Sequence, residues 1–143
     1  IGVAQLDKLP YIVETRRKNW NRLYEGLKDI QDKIILPEPE KNSKPSWFGF
    51  LISVKEGTGK SRVELAKHLE ANKIQTRNLF AGNLLKHPAF DEMRKSGEGF
   101  RVIGDLKNTD FIMNNTLWVG VYPGMTDEML DFMIKKIKEY ILG

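Results

Sequence analysis

The fold is centred on the run Ser46-Trp47-Phe48-Gly49-Phe50-Leu51-Ile52-Ser53-Val54. Aromatic and β-branched residues dominate this run, which is the composition of a strand. Apolar side chains stand at successive positions rather than alternate ones. We therefore expect a central strand covered on both faces, or a strand at an interface. Gly49 has no side chain and indicates a bulge or a close backbone approach.

Helices and shorter strands flank this central strand. The sequence predicts a helix over 2–30, a short strand over 34–36, a helix over 61–72, a strand over 74–79, a short helix over 110–115, a strand over 116–121 and a helix from 126. Ser61 and Glu64 have the spacing of a capping box at a helix start. This order predicts an α+β fold, a small mixed sheet of about three main strands with packed helices, preceded by a long helix.

The long helix is interrupted by Pro10. Proline is tolerated in a first turn but breaks a helix interior, so we expect a kink near Leu9 or two helices that meet there. At about 1.5 Å per residue the element is about 40 Å long, more than a domain of this size covers. The chain also begins with Ile1 rather than methionine. We expect a piece of a longer protein, whose other residues cover part of this helix.

One stretch combines groups that suit a ligand, namely Ile74-Gln75-Thr76-Arg77-Asn78-Leu79-Phe80-Ala81-Gly82-Asn83. Arg77 offers a planar fork of donors for a carboxylate or phosphate. Phe80 offers a ring face, and Asn83 can both donate and accept hydrogen bonds. The alternative is a plain strand end and loop, with Arg77 in a surface ion pair. The residue types alone leave these two interpretations open.

Composition excludes several classes of protein. The 143 residues are 41% hydrophobic and 29% charged, and they include no cysteine. One packed domain is expected, without disulfides or a cysteine metal site. No apolar run approaches the about 20 residues that cross a bilayer, and no signal peptide is evident, so we predict a cytoplasmic protein without a membrane partner. The net charge is +4, but the lysines are interspersed with acids, which argues against a nucleic-acid partner.

No set of residues in the chain predicts catalysis by itself. Gly57-Thr58-Gly59-Lys60-Ser61 resembles the end of a phosphate-binding loop, but the full motif needs a glycine where Val54 stands. His68 and His87 have no carboxylate at a helpful spacing. We therefore assign no catalytic, cofactor-binding or metal-binding residue to this chain.

Five segments, spread over nearly the whole chain, form a recognisable set: IGVAQLDKL (1–9), PSWFGF (45–50), TRNLFAGN (76–83), NTDFIMN (108–114) and WVGVYPG (118–124). Through them the chain resembles the C-terminal part of the DegT/DnrJ/EryC/StrS family, which are pyridoxal-phosphate enzymes acting on sugar nucleotides. Within the family it is similar to the dehydrase branch, such as the CDP-4-keto-6-deoxyglucose 3-dehydrases. The TRNLFAGN segment is the part most specific to that branch.

The resemblance implies the C-terminal small domain of a fold type I enzyme, with residues 1–31 as a bridging helix from a large domain and residues 32–143 as the small domain. Pyridoxamine or pyridoxal 5′-phosphate, and in some members a [2Fe-2S] cluster, would be bound by the large domain, so no cofactor is expected in this chain. The family also implies a homodimer and, in some members, a reductase partner. The fragment alone is predicted to be inactive.

The same resemblance implies a parent enzyme that removes the C3 hydroxyl of a nucleotide-linked 4-keto-6-deoxy sugar, in dideoxysugar and lipopolysaccharide O-antigen biosynthesis. Arg77, Phe80 and Asn83 would line the substrate site, with Arg77 against an anionic group. Ser46 and Trp47 are further candidates. Two alternatives stay open: the small domain of a sugar-nucleotide aminotransferase, distinguished by lysine rather than histidine upstream, and a binding domain without catalysis.

Overall fold

The computed structural model describes residues 2–143, which form six α-helices and four strands. The helices are α1 (Gly2–Leu6), α2 (Leu9–Leu27), α3 (Arg62–Ala71), α4 (Asp91–Ser96), α5 (Lys107–Asn115) and α6 (Asp127–Leu142). The strands are β1 (Ile34–Ile35), β2 (Gly49–Val54), β3 (Thr76–Asn78) and β4 (Thr116–Gly120). Within this described part, no helix is both long and apolar enough to cross a membrane. The predicted α+β class is confirmed.

The N-terminal segment is divided into two helices. Of the two expectations for Pro10, a kink or two helices, the second is the one observed. Helix α1 ends at Leu6 and α2 begins at Leu9, with Pro10 in its first turn. Proline is favoured there because the N–H groups of a first turn have no partner within the helix, so the N–H that proline lacks is not missed. The C-terminal half of α2 contributes Trp20 and Leu23 to the same core as the rest of the chain. The proposed domain boundary after residue 31 therefore stays a prediction.

The sheet is antiparallel throughout rather than mixed. Its strand order is β1-β2-β4-β3, and each neighbouring pair is antiparallel. Strands β2 and β3 point the same way, because each of them is antiparallel to β4. In the structure β4 lies between them, so no parallel neighbours arise.

One face of the sheet is covered by the helices and forms the core. Phe50 and Ile52 of β2 stand opposite Val119 and Leu117 of β4, and all four side chains are fully buried. Trp20 of α2 lies 5.2 Å from Phe50, measured between ring centroids. The intervening residues, such as Leu51 and Trp118, are on the other face and are only partly buried. Within residues 2–143 this second face of β2 is only partly covered, so the alternative of a strand at an interface stays a prediction. We call this second face the open face.

A buried amide ties α2 to the turn after β4. Asn19 is buried, and its Nδ2 donates to the backbone carbonyl of Tyr122 at 2.9 Å. Replacing Asn19 with alanine leaves that carbonyl without its partner, so we expect the free energy of unfolding to fall by about 1–3 kcal/mol. Denaturant unfolding measures the change. Asn21→Ala, at an exposed position on the same helix, is the matched control, and equal effects of the two variants would contradict the role of Asn19.

Candidate functional site

Arg77 lies on the open face of the sheet, in the edge strand β3. Its Cα is the register partner of Trp118 in β4. The Arg77 side chain is exposed and makes no hydrogen bond or ion pair with any residue in the range 2–143. The surface ion pair considered as an alternative thus has no partner within the described chain. A guanidinium in this situation is available for a carboxylate or phosphate.

Trp118 forms an aromatic platform beside Arg77, and sequence reasoning missed it as a site residue. A Cβ at Gly49 would lie 2.8 Å from Cε3 of Trp118, so only glycine leaves room for the indole there. The ring of Phe48 meets the indole edge-on, with centroids 5.4 Å apart. In the sequence, Gly49 indicated a bulge or a close backbone approach. The group that approaches Gly49 in the structure is the indole side chain of Trp118. The identity of the approaching residue depends on the strand register, which the pattern does not give.

A cleft of about 470 Å³ lies between this part of the open face and α6. Arg77 and Trp118 line it together with Gly120 and Tyr122. No heavy atom lies within 4 Å of the position that a Cβ at Gly120 would occupy, so the cleft is open at that point. Its volume is within the usual range for small-molecule sites.

The loop after β3 presents Phe80 and conceals Asn83. Phe80 is 74% exposed, whereas Asn83 is 4% exposed. Gly82 has φ +74°, and a Cβ there would lie 2.9 Å from Cγ of Met113, so glycine fits where other residues would be strained. Gly82 thereby allows the loop to pack closely on Met113 of α5.

The amide of Asn83 is used within the chain. Its Oδ1 accepts from the backbone N–H of Leu85 at 3.1 Å, and its Nδ2 donates to Asp110 at 2.8 Å. Lys86 forms an ion pair with the same carboxylate at 2.9 Å. These contacts lower the pKa of Asp110 below its ordinary value of 3.8, with Lys86 as the larger cause and Asn83 as the second. Asn83 therefore anchors the loop to α5.

The Asp110 anchor is expected to fail in acid. A carboxyl whose pKa is lowered by folding contributes stability that is fully present above its unfolded pKa and is lost as the pH falls through the folded value. We expect the Asn83 side-chain NMR signals to shift only below about pH 3.8, the ordinary value for Asp110. Asp110→Asn should abolish this titration, whereas Asp131→Asn, whose carboxylate binds Arg22, should preserve it. A titration unchanged in Asp110→Asn would contradict the anchor.

Ser46 and Trp47 lie on the side of the helices. The ring of Trp47 is 4.7 Å from that of Trp20 in α2, centroid to centroid. The backbone carbonyl of Ser46 accepts from Nη1 of Arg16 at 3.3 Å, and its Oγ is buried without a hydrogen-bond partner in residues 2–143. Of the five predicted residues, Arg77 alone lines the cleft. Phe80 and Asn83 lie in the loop that follows β3, and Ser46 and Trp47 lie on the side of the helices.

The histidines and acidic side chains of residues 2–143 do not form a metal site. In the range 2–143, no three His, Asp or Glu side chains are grouped closely enough to hold a metal ion. His68 packs on Tyr140 of α6, with ring centroids 5.8 Å apart, in the layer of helices. The Nε2 atom of His87 is within hydrogen-bond distance of the Ala81 carbonyl. Neither histidine lines the cleft.

The chain is thus an α+β domain with helices on one side of an antiparallel sheet and a cationic, aromatic cleft between α6 and the open face. The model of the DegT/DnrJ/EryC1/StrS aminotransferase family matches residues 1–138, and the chain belongs to this family. The resemblance drawn from the five sequence segments is confirmed. Solved structures similar to this chain are of fold type I, the pyridoxal-phosphate fold expected from that resemblance.

Several relatives are named for sugar biosynthesis. The chain is 47% identical over 139 residues to lipopolysaccharide biosynthesis protein RfbH of Salmonella typhimurium, covering 97% of this chain and 31% of that protein. It is 40% identical over 141 residues to dTDP-4-dehydro-2,6-dideoxy-D-glucose 3-dehydratase of Saccharopolyspora spinosa, covering 99% and 29%. The structure of E. coli GDP-4-keto-6-deoxy-D-mannose-3-dehydratase with bound hydrated PLP superimposes with a TM-score of 0.80 at 26% identity, covering 96% and 33%. The chain spans about a third of these proteins.

Proposed function

We propose that this chain is the C-terminal part of a pyridoxamine-phosphate-dependent 3-dehydratase that acts on a nucleotide-linked 4-keto-6-deoxy sugar. The observation that carries the proposal is the 40% identity to a 3-dehydratase over 141 residues, which include TRNLFAGN and WVGVYPG. The 47% identity to a lipopolysaccharide biosynthesis protein supports a place in dideoxysugar or O-antigen synthesis. Both segments adjoin the open face of the sheet.

Each predicted site residue has a distinct part in this proposal. Arg77 binds an anionic group of the nucleotide sugar, because its guanidinium is exposed and unpaired within residues 2–143. Phe80 lies against the sugar, since most of its ring is exposed. Asn83 positions Phe80 by anchoring the loop to Asp110. Ser46 and Trp47 remain predictions, and their contacts with α2 support a role in holding the preceding loop.

The cofactor belongs to the remainder of the parent enzyme in this proposal. Pyridoxamine phosphate supplies an electron sink that lets the C3 hydroxyl leave the sugar. The residues of this chain fit a substrate wall rather than a cofactor site, because neither histidine lines the cleft. The chain contains no cysteine, so the ligands of an iron–sulfur cluster would also be located elsewhere, as would the docking site of a reductase beside it.

Two apolar surfaces support contacts with the rest of the parent enzyme or with a second copy of it. Val3, Leu6 and Tyr11, at the start of the long helical segment, are each more than half exposed. From residue 84 to residue 115 no side chain is buried, although this segment contains Phe100 and Ile103. Exposed apolar area of this extent marks interaction surfaces. We infer that the large domain and the partner subunit of a homodimer cover them.

Product analysis of the full-length enzyme tests the proposal. The enzyme is incubated with its cofactor and with CDP-, dTDP- or GDP-linked 4-keto-6-deoxyhexoses. Replacement of the C3 hydroxyl by hydrogen consumes two electrons, so glutamate or a reductase system is supplied. We expect a sugar that lacks the C3 hydroxyl. Transfer of an amino group to the sugar would identify an aminotransferase instead, and an unchanged sugar in every case would favour a binding domain without catalysis.

A further inference from the structure

The lining of the cleft carries a net positive charge. Its lining includes two cationic side chains, Lys73 and Arg77, and no aspartate or glutamate. The chain as a whole contains 19 acidic residues, and none of them lines this cleft. The side chains of Lys73 and Arg77 have no hydrogen bond or ion pair to any other residue of the range 2–143. A cleft with two free cations favours a ligand that carries more than one negative charge.

The walls of the same cleft consist largely of aromatic and methionine side chains. Trp118 and Tyr122 stand four residues apart on β4 and its extension, an even spacing that places both side chains on the same face. Met129 and Phe132 of α6 complete the wall. Gly120 lies between the two rings in sequence and leaves open space above the backbone. A flat ring system can therefore approach either aromatic side chain without a steric barrier from the strand.

The position of Trp118 is held from two sides. Phe48 meets the indole edge-on, and the backbone N–H of Val121 donates to the Phe48 carbonyl at 2.8 Å, which joins the segment before β2 to the end of β4. Gly49 provides the space in which the indole lies. A ring that is fixed before binding loses little conformational entropy when a ligand stacks on it.

We propose that this cleft binds the nucleoside diphosphate part of the substrate, with the diphosphate on Arg77 and Lys73 and the base stacked on Trp118. The identity of the ligand as a nucleotide sugar rests on the proposed function. The assignment of its nucleotide half to the cleft rests on the charge, the aromatic wall and the volume of about 470 Å³. Trp118 and Lys73 thereby become substrate-positioning residues in addition to Arg77.

Direct binding of dTDP and GDP to the full-length protein tests the assignment. Trp118→Leu is expected to raise the Kd of both about 5- to 150-fold, the range that loss of one stacked base gives. Trp118→Phe retains a ring and should restore most of the affinity. Arg77→Gln should weaken binding of inorganic pyrophosphate as well, whereas Trp118→Leu should leave pyrophosphate binding unchanged. Lys135→Gln, at an exposed cationic residue of α6 outside the cleft, is the matched control and should bind like the wild type.

The two levels of proposal can fail separately. Unchanged Kd values for dTDP and GDP in Arg77→Gln and in folded Trp118→Leu would overturn the nucleotide assignment, even if the enzyme removes the C3 hydroxyl. Arg77 is exposed, so that variant remains informative if Trp118→Leu does not fold. Conversely, binding that depends on Trp118, in an enzyme that leaves every 4-keto-6-deoxy sugar unchanged, would overturn the 3-dehydratase proposal and support the cleft.

Discussion

Replacement of Arg77 by alanine in the full-length enzyme is expected to lower kcat/KM for the nucleotide sugar about 10- to 100-fold, the effect of losing a hydrogen bond to a charged group. The guanidinium is exposed and has no partner within residues 2–143, so the loss should fall on substrate binding rather than on folding. Steady-state kinetics, together with thermal unfolding, measures both quantities.

The matched control for this substitution is Lys135→Ala, at an exposed cationic residue of α6 that does not line the cleft with Trp118. Its kcat/KM should stay close to that of the wild type. Wild-type kinetics in Arg77→Ala would remove Arg77 from the substrate site. An equal loss in both variants would indicate a general effect of surface charge, and this too would contradict a specific role.

Phe50→Ala is expected to lower the free energy of unfolding by about 3–5 kcal/mol, because it removes a large side chain from the packed core. Phe50 is fully buried and contacts Trp20 of α2, whereas Phe48, two residues earlier, is 62% exposed. Phe48→Ala removes a ring of the same size whose main aromatic contact is Trp118. It should lower the free energy of unfolding by at most about 1.5 kcal/mol.

Denaturant unfolding of the two phenylalanine variants provides the comparison. The difference between them tests which side chain of the central strand lies under the helices. A larger loss for Phe48→Ala than for Phe50→Ala would contradict the orientation of β2. The near-UV signal of Trp118 should change in Phe48→Ala, since the edge contact fixes that ring.

Local sequence patterns predicted the elements of this fold well. The apolar run at 46–54 predicted β2, and Ser61 with Glu64 predicted the start of α3, where the Ser61 hydroxyl accepts from the Glu64 N–H at 3.1 Å. Pro10 predicted the division of the long helix. These features depend on residues close in sequence, whose effects on the backbone are local.

Features that depend on strand order could not be predicted in the same way. The insertion of β4 between β2 and β3 joins segments that are far apart in the chain, as in the pairs Ser53–Thr116 and Asn78–Leu117, and no local pattern specifies it. The platform at Trp118 follows from that insertion, since its register partner is Arg77 and its neighbour across the other strand pair is Leu51. The buried position of Asn83 could not be predicted either, because its contact with Asp110 depends on how α5 packs against the loop.

The most direct test of the claim that this chain forms a wall of the nucleotide-sugar site is hydrogen–deuterium exchange of the full-length protein, with and without the sugar nucleotide. Ligand binding is expected to slow exchange in residues 74–83 and 116–122, which carry Arg77, Phe80 and Trp118. Strand β3 is at the edge of the sheet, so its amides are the ones most able to respond. Protection confined to other parts of the protein, with unchanged exchange in both segments, would contradict the claim.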